Sequence, residues 1–182
     1  MQRYIAFLRA INVGGRNVTM SELRTLFEGL GLKQVESFIA SGNLIFQSGA
    51  SDVVVLQQKI EGRLLRSLGY EVKTFLRTVQ EVVAISRYEA FKKVPVKAAT
   101  ALNVAFLADP LRGPAVKSVM ALQTELDEFH VNGREVYWLC RTRQSDSTFS
   151  NVRFEKLVET RATWRNINTV VRLAATYEAV KS

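Results

Sequence analysis

Cysteine and histidine are almost missing from this chain: Cys140 and His130 stand alone among 182 residues. One cysteine forms no intramolecular disulfide, and one residue of each kind cannot build a Cys/His zinc cluster. Any Cys–His or Ser–His–Asp machine would have to take His130 as its base. That histidine adjoins Asn132-Gly133, where a hairpin side chain is the plainer role, and Cys140 follows Trp138 and Leu139 as an inert strand thiol. Long apolar runs are also missing. Tyr4–Leu8 is cut by Arg9, far short of the ~20 residues a membrane span needs, and no signal-peptide cleavage site follows it. A lone thiol and no targeting segment predict a soluble, cytoplasmic protein. Asp109 and Asp127 have no partner at a spacing that suits acid/base work or a metal, so neither metal nor cofactor is expected.

What the chain does have is a basic surplus and an ordinary globular core. Lys and Arg number 25 against 17 Asp and Glu, a net charge of +8, which favours polyanions and phosphorylated small molecules as partners. Apolar residues make up 47% of the chain, excluding a disordered or fibrous protein.

Patterning predicts two copies of one architecture. Residues 3–9 read as a strand apolar on both faces, followed by the loop Ile11–Asn17 with its glycine pair. Thr19 and Glu22 have capping-box spacing, and Leu23, Leu26, Phe27 and Leu30 mark a helix that Gly31 stops. Strands over Gln34–Ala40 and Leu44–Gln47 flank the Ser41-Gly42-Asn43 turn. Leu56, Ile60, Leu64 and Leu68 mark a second helix, Tyr70–Leu76 a fourth strand, and Thr78–Glu81 a second capping box. This β-α-β-β-α-β order is the split βαβ of ferredoxin-like folds. After a linker at Lys92–Lys97 the pattern restarts, with a strand at Ala101–Leu107 and a helix near Ala115–Leu122. A hairpin turning at Asn132-Gly133 and helices near Phe149–Glu159 and Asn166–Val180 complete it. Ala105-Phe106-Leu107 answers Ala6-Phe7-Leu8. The expected class is therefore α+β: two ferredoxin-like lobes with antiparallel sheets, an internal duplication. The lobes divide into residues 1–94 and 95–182, packed as one compact unit.

The loop leaving the first strand and the turn between the second and third belong at one end of the sheet. That topology gathers Arg9, Asn12, Gly14, Gly15 and Arg16 beside Ser41 and Asn43. Consecutive glycines can converge backbone amides on an anion, or merely permit a turn. Further on, Arg161–Thr169 reads as a helix start with Thr163 as cap and Ile167, Val170, Val171 and Ala174 as its buried stripe. Arg165, Asn166 and Asn168 lie off that stripe, and arginine with amides suits planar or phosphorylated groups. One concave site is expected, lined by Arg9, Asn12, Arg16, Asn43 and Arg165, with Asn166 and Asn168 at its edge.

Tyr4–Gly15, Ser41-Gly42-Asn43 and Trp164–Val170, taken together and in this order, resemble the signature segments of a bacterial family catalogued as domain of unknown function 1697. The resemblance implies a two-lobed α+β fold with ferredoxin-like subdomains and no established reaction, substrate or cofactor. The chain departs from the pattern at Ala10, where glycine is usual, and over Gln144–Ser150, where a more basic, glycine-containing loop is expected. The function that fits is binding of an anionic, phosphate-bearing ligand, either a phosphorylated small molecule or nucleic acid. An enzyme acting on a small anion, or an interaction protein without ligand, are the alternatives. An Arg/Asn site has many donors and no evident general base.

Overall fold

A computed structural model describes residues 1–12, 14–39, 42–91 and 101–179. Eight strands and six α-helices alternate along them. The first half runs β1 (Gln2–Leu8), α1 (Met20–Glu28), β2 (Lys33–Ser37), β3 (Asn43–Ser48), α2 (Val53–Leu68), β4 (Thr74–Thr78) and α3 (Val79–Arg87). The second runs β5 (Ala101–Phe106), α4 (Pro114–Met120), β6 (Asp127–Asn132), β7 (Glu135–Cys140), α5 (Asn151–Val158), β8 (Thr163–Asn166) and α6 (Ile167–Glu178). Two four-stranded antiparallel sheets result, ordered β2-β3-β1-β4 and β6-β7-β5-β8. Both carry the ferredoxin-like order, with the lobe's first strand in the middle.

Residue-level register supports the duplication. Ile5 pairs with Arg77 in the first sheet, and Val104 pairs with Arg165 in the second. Ala6 pairs with Leu76, and Ala105 with Trp164. Phe7 and Phe106 are both fully buried, as doubly apolar central strands require.

Local chemistry explains the elements. Thr19 and Glu22 close a complete capping box on α1, whose Leu23 and Phe27 face the core. Asp52 caps α2 by accepting from the Val54 and Val55 amides, and left-handed Gly69 ends it. The Thr78–Glu81 box opens α3. Each lobe has its own core. One gathers Tyr4, Ala6 and Leu8 with Phe27, Phe46 and Ile60; the other gathers Ala105 and Leu107 with Trp138 and Phe154.

Several boundaries differ from the sequence reading. Helix α1 stops at Glu28 with right-handed Gly29 as its cap, and the left-handed Gly31 follows two residues later in a turn. Strand β4 starts at Thr74 rather than Tyr70, because pairing with β1 begins at Leu8↔Thr74. The β6–β7 turn is Gly133-Arg134, one residue later than expected, since Asn132 still pairs with Glu135. Gly133 alone has positive φ there, the mark of a turn with glycine first. The largest difference is at residues 163–166. Thr163 caps nothing; it opens β8, the fourth strand of the second sheet, and Asn166 caps α6 by accepting from the Asn168 amide at 2.9 Å. The α6 stripe is Val170, Leu173, Ala174 and Tyr177, while Val171 is 44% exposed. The Lys92–Lys97 linker and the 94/95 boundary lie outside the described residues.

Two compact units divide the chain: Met1–Ala84 with Leu173–Ser182, and Ile85–Arg172. The divisions fall inside α3 and α6. In the first unit, the Tyr177 hydroxyl donates to Glu36 at 2.8 Å and its ring meets Phe38 edge-on. In the second, Tyr88 bonds His130 at 2.8 Å, which gives that histidine a structural partner on the β6 hairpin.

Candidate functional site

The topology does bring the β1–α1 loop and the β2–β3 turn to one end of the first sheet. Leu8 N donates to Gly42 O at 2.8 Å, and Arg9 N donates to Lys73 O at 2.9 Å. Gly42 has a φ of +69, and a Cβ there would stand 3.1 Å from Ile11 Cγ2 and 3.3 Å from Leu8 Cβ. Only glycine allows the turn to close on β1 this tightly. Ser41 lies outside the described residues.

Most polar groups of this cluster hold the loop rather than face a ligand. The Asn12 side chain donates to Val18 O at 3.2 Å and accepts from Val18 N at 2.8 Å, pinning the loop's two ends together. Asn43 is fully buried and its amide donates to Phe38 O at 3.3 Å, closing the hairpin. Gly14 and Gly15 both take left-handed φ, +68 and +80, which suits a turn that other residues would strain. Ala10 is left-handed too, with a φ of 54 and a methyl group to strain there. Glycine at position 10 is expected to raise stability by about 1 kcal/mol, read as a higher urea midpoint. An unchanged midpoint would show that Ala10 is unstrained.

Arg16 is different. Its guanidinium lies 4.0 Å over the centre of the Tyr70 ring, and Tyr70 is itself fixed by donating its hydroxyl to Ile11 O at 3.0 Å. A cation–π contact of this kind leaves the guanidinium N–H groups available as donors. Among the described residues Arg16 makes no hydrogen bond and no ion pair. It lines a groove of about 540 Å³ between the loop, α1 and the end of α2, with Asn17, Ser21, Glu22 and Tyr70. That volume suits a small-molecule ligand.

Glu22 lines the same groove. One carboxylate oxygen, Oε2, accepts from the Thr19 amide at 2.7 Å and the Thr19 hydroxyl at 2.8 Å. Those bonds hold its carboxyl below the usual carboxylate range. The positive end of α1 is thus already met by the chain's own carboxylate.

Arg165, Asn166 and Asn168 belong to the second unit. Arg165 Nη1 donates to Thr163 Oγ1 at 2.8 Å and Trp164 O at 2.9 Å. Desolvation by burial pushes its pKa down to about 10. Its counterpart Arg77, missed in the sequence reading, donates to Leu76 O at 2.8 Å and is 1% exposed. Tyr70 was missed as well, having been read as the start of a strand. Cys140 is buried, and burial raises its thiol pKa, which disfavours the thiolate. Among the described residues no cluster of His, Cys, Asp or Glu could hold a metal ion, and no helix is long and apolar enough to cross a membrane.

These features define a duplicated α+β protein with two ferredoxin-like sheets and an arginine-lined groove in its first unit. The chain belongs to the family described as protein of unknown function (DUF1697), whose model matches residues 1–137. Its fold is also that of the conserved bacterial protein SP0830 from Streptococcus pneumoniae, with a TM-score of 0.73 and 24% identity over 98% of this chain and 99% of that one. A search of curated proteins finds no match.

Proposed function

We propose that this protein binds a small anionic molecule, carrying a phosphate or carboxylate, in the groove of its first unit. One observation carries the reading: Arg16 lies over the Tyr70 ring with no hydrogen bond to the described residues, beside a ligand-sized groove. A guanidinium fork held in one orientation accepts an oxyanion bidentately without first losing side-chain freedom. Asn17, from the same loop, lines the groove beside it and can supply a further donor. Binding fits better than general-base catalysis, because the groove's carboxylate, Glu22, has its pKa lowered rather than raised towards neutrality. Nucleic acid is the weaker reading. Tyr4, Ile5, Phe7 and Leu44–Phe46 are all buried, so β1 and β3 offer no aromatic platform for stacking bases. A single buried thiol suits the cytoplasmic setting that this reading assumes.

The test is titration of ¹⁵N-labelled protein with pyrophosphate and propyl phosphate. Shifts should centre on Gly14, Gly15 and Asn17, and Arg16→Ala should weaken binding about tenfold or more, in line with a charge-assisted bond. Arg16→Lys should recover little, since an ammonium neither stacks as a plane nor forks. Equal binding by Arg16→Ala would remove the reading. Oligonucleotide binding that falls steeply with salt and ignores Arg16→Ala would replace it with phosphate-backbone contact.

A further inference from the structure

Arg16 and Glu22 line one groove as opposite charges, and they do not pair. Among the described residues neither forms an ion pair. Here each is held by something else: Arg16 by the Tyr70 ring, and Glu22 by Thr19 through Oε2 alone. The second carboxylate oxygen, Oε1, accepts no hydrogen bond from the described residues. The groove therefore offers a fixed donor fork and a fixed acceptor.

Around the two charges the wall is polar and short-chained. Ser21 and Thr25 present hydroxyls from α1, and Ser67 adds a third from the end of α2. Thr25 donates its hydroxyl to Ser21 O, which leaves that oxygen's lone pairs as further acceptors. Leu26 and Leu68 supply the apolar share of the lining. An ammonium needs acceptors, and the hydroxyls of this wall can serve beside the Glu22 carboxylate.

We infer that the ligand of this groove is a small zwitterion, its phosphate or carboxylate on Arg16 and its primary ammonium on Glu22. The inference rests on the anion reading above and adds the second charge. A purely anionic ligand would have to sit beside an ionised carboxylate in the same groove, whereas an ammonium turns that repulsion into a charge-assisted hydrogen bond. Glutamate rather than glutamine at position 22 is not demanded by the helix cap, because either residue completes a capping box. The charge is available for a ligand.

The experiment compares ω-aminoalkyl phosphates of two to five methylenes with n-alkyl phosphates of the same lengths, by calorimetry at neutral pH. The series lets the chain length find the separation of the two charges. At least one amino member should bind about tenfold more tightly than its alkyl twin. Glu22→Gln keeps the capping-box pattern but loses the charge at the α1 N-terminus, so its urea midpoint should fall only slightly while the amino advantage disappears and alkyl phosphate affinity holds or rises. Arg16→Ala should weaken both series. Equal affinities for every amino and alkyl pair, with binding still lost in Arg16→Ala, would overturn the zwitterion and leave the anion site standing. No binding by either series would overturn both. An amino advantage that persists in Glu22→Gln would assign the ammonium to another group and overturn this inference.

Discussion

Truncating Arg77 to alanine should destabilise the protein by about 3 kcal/mol, a large loss for a single charged side chain. Arg77 is the largest of the fully buried side chains, in mid-strand β4 opposite Ile5. Two costs add on truncation. The long aliphatic stem vanishes from a packed interior, leaving a cavity. The Leu76 carbonyl, which accepts from Nη1 at 2.8 Å, loses its charged donor with no water to replace it. Arg77→Lys keeps the charge but not the planar fork and should fall about midway. Arg165→Ala should cost less: its guanidinium is desolvated too, but the residue keeps more of its surface in solvent than Arg77, which is 1% exposed. Urea unfolding of the three variants gives the order directly. An Arg77→Ala midpoint within 1 kcal/mol of wild type, or an Arg165→Ala effect larger than that of Arg77→Ala, would sink the argument.

Arg77 also marks where the sequence stops being readable. The apolar strings of β1 and β5 are plain, because a strand buried on both faces must be apolar at every position. Capping boxes at Thr19 and Thr78 are equally plain, since each is a local pattern with a local cause. Arginines at 77 and 165 run against the rule that strand interiors are apolar, so position 77 passed unremarked and position 165 looked like a helix start. Only pairing reveals that both occupy one position of a repeated sheet, a relation between residues 88 apart that no window of neighbours holds. The β8 strand was hidden for the same reason: four residues, three of them polar or charged, become a strand only because β5 has an open edge beside them. The site was legible in part. Glycines and Arg16 announced a polar loop, but the partner that orients Arg16 is Tyr70, which topology delivers from the far end of α2. Asn12 and Asn43 had the right chemistry for ligand contact, yet the loop's own carbonyls claim them.

Asp127 extends the same lesson to the second unit and gives the other large effect. Its sequence context offered no partner for catalysis, and the structure gives it a different task. The carboxylate is 3% exposed and accepts from the Trp138 indole at 2.7 Å and from the Ser147 hydroxyl at 2.9 Å. Ser147 in turn accepts from the Phe149 amide at 3.0 Å, so one carboxylate ties strand β7 to the loop that precedes α5. Phe149 then packs against Trp138 and Trp164, with ring centres 4.4 and 5.2 Å apart. Asp127→Ala leaves a buried indole N–H without an acceptor and frees the loop that seats Phe149. Hydrogen bonds to a charged acceptor contribute roughly 1.5–3 kcal/mol each, so a loss of about 3 kcal/mol is expected once the two bonds share their desolvation. Asp127→Asn retains one carbonyl acceptor and should lose about half as much. The indole resonance of Trp138 separates this mechanism from general loosening of the core. In Asp127→Ala it should move upfield and exchange with solvent faster, while backbone amides of β5 keep their protection. A Trp138 indole that stays protected in Asp127→Ala would mean that the carboxylate is not what holds it.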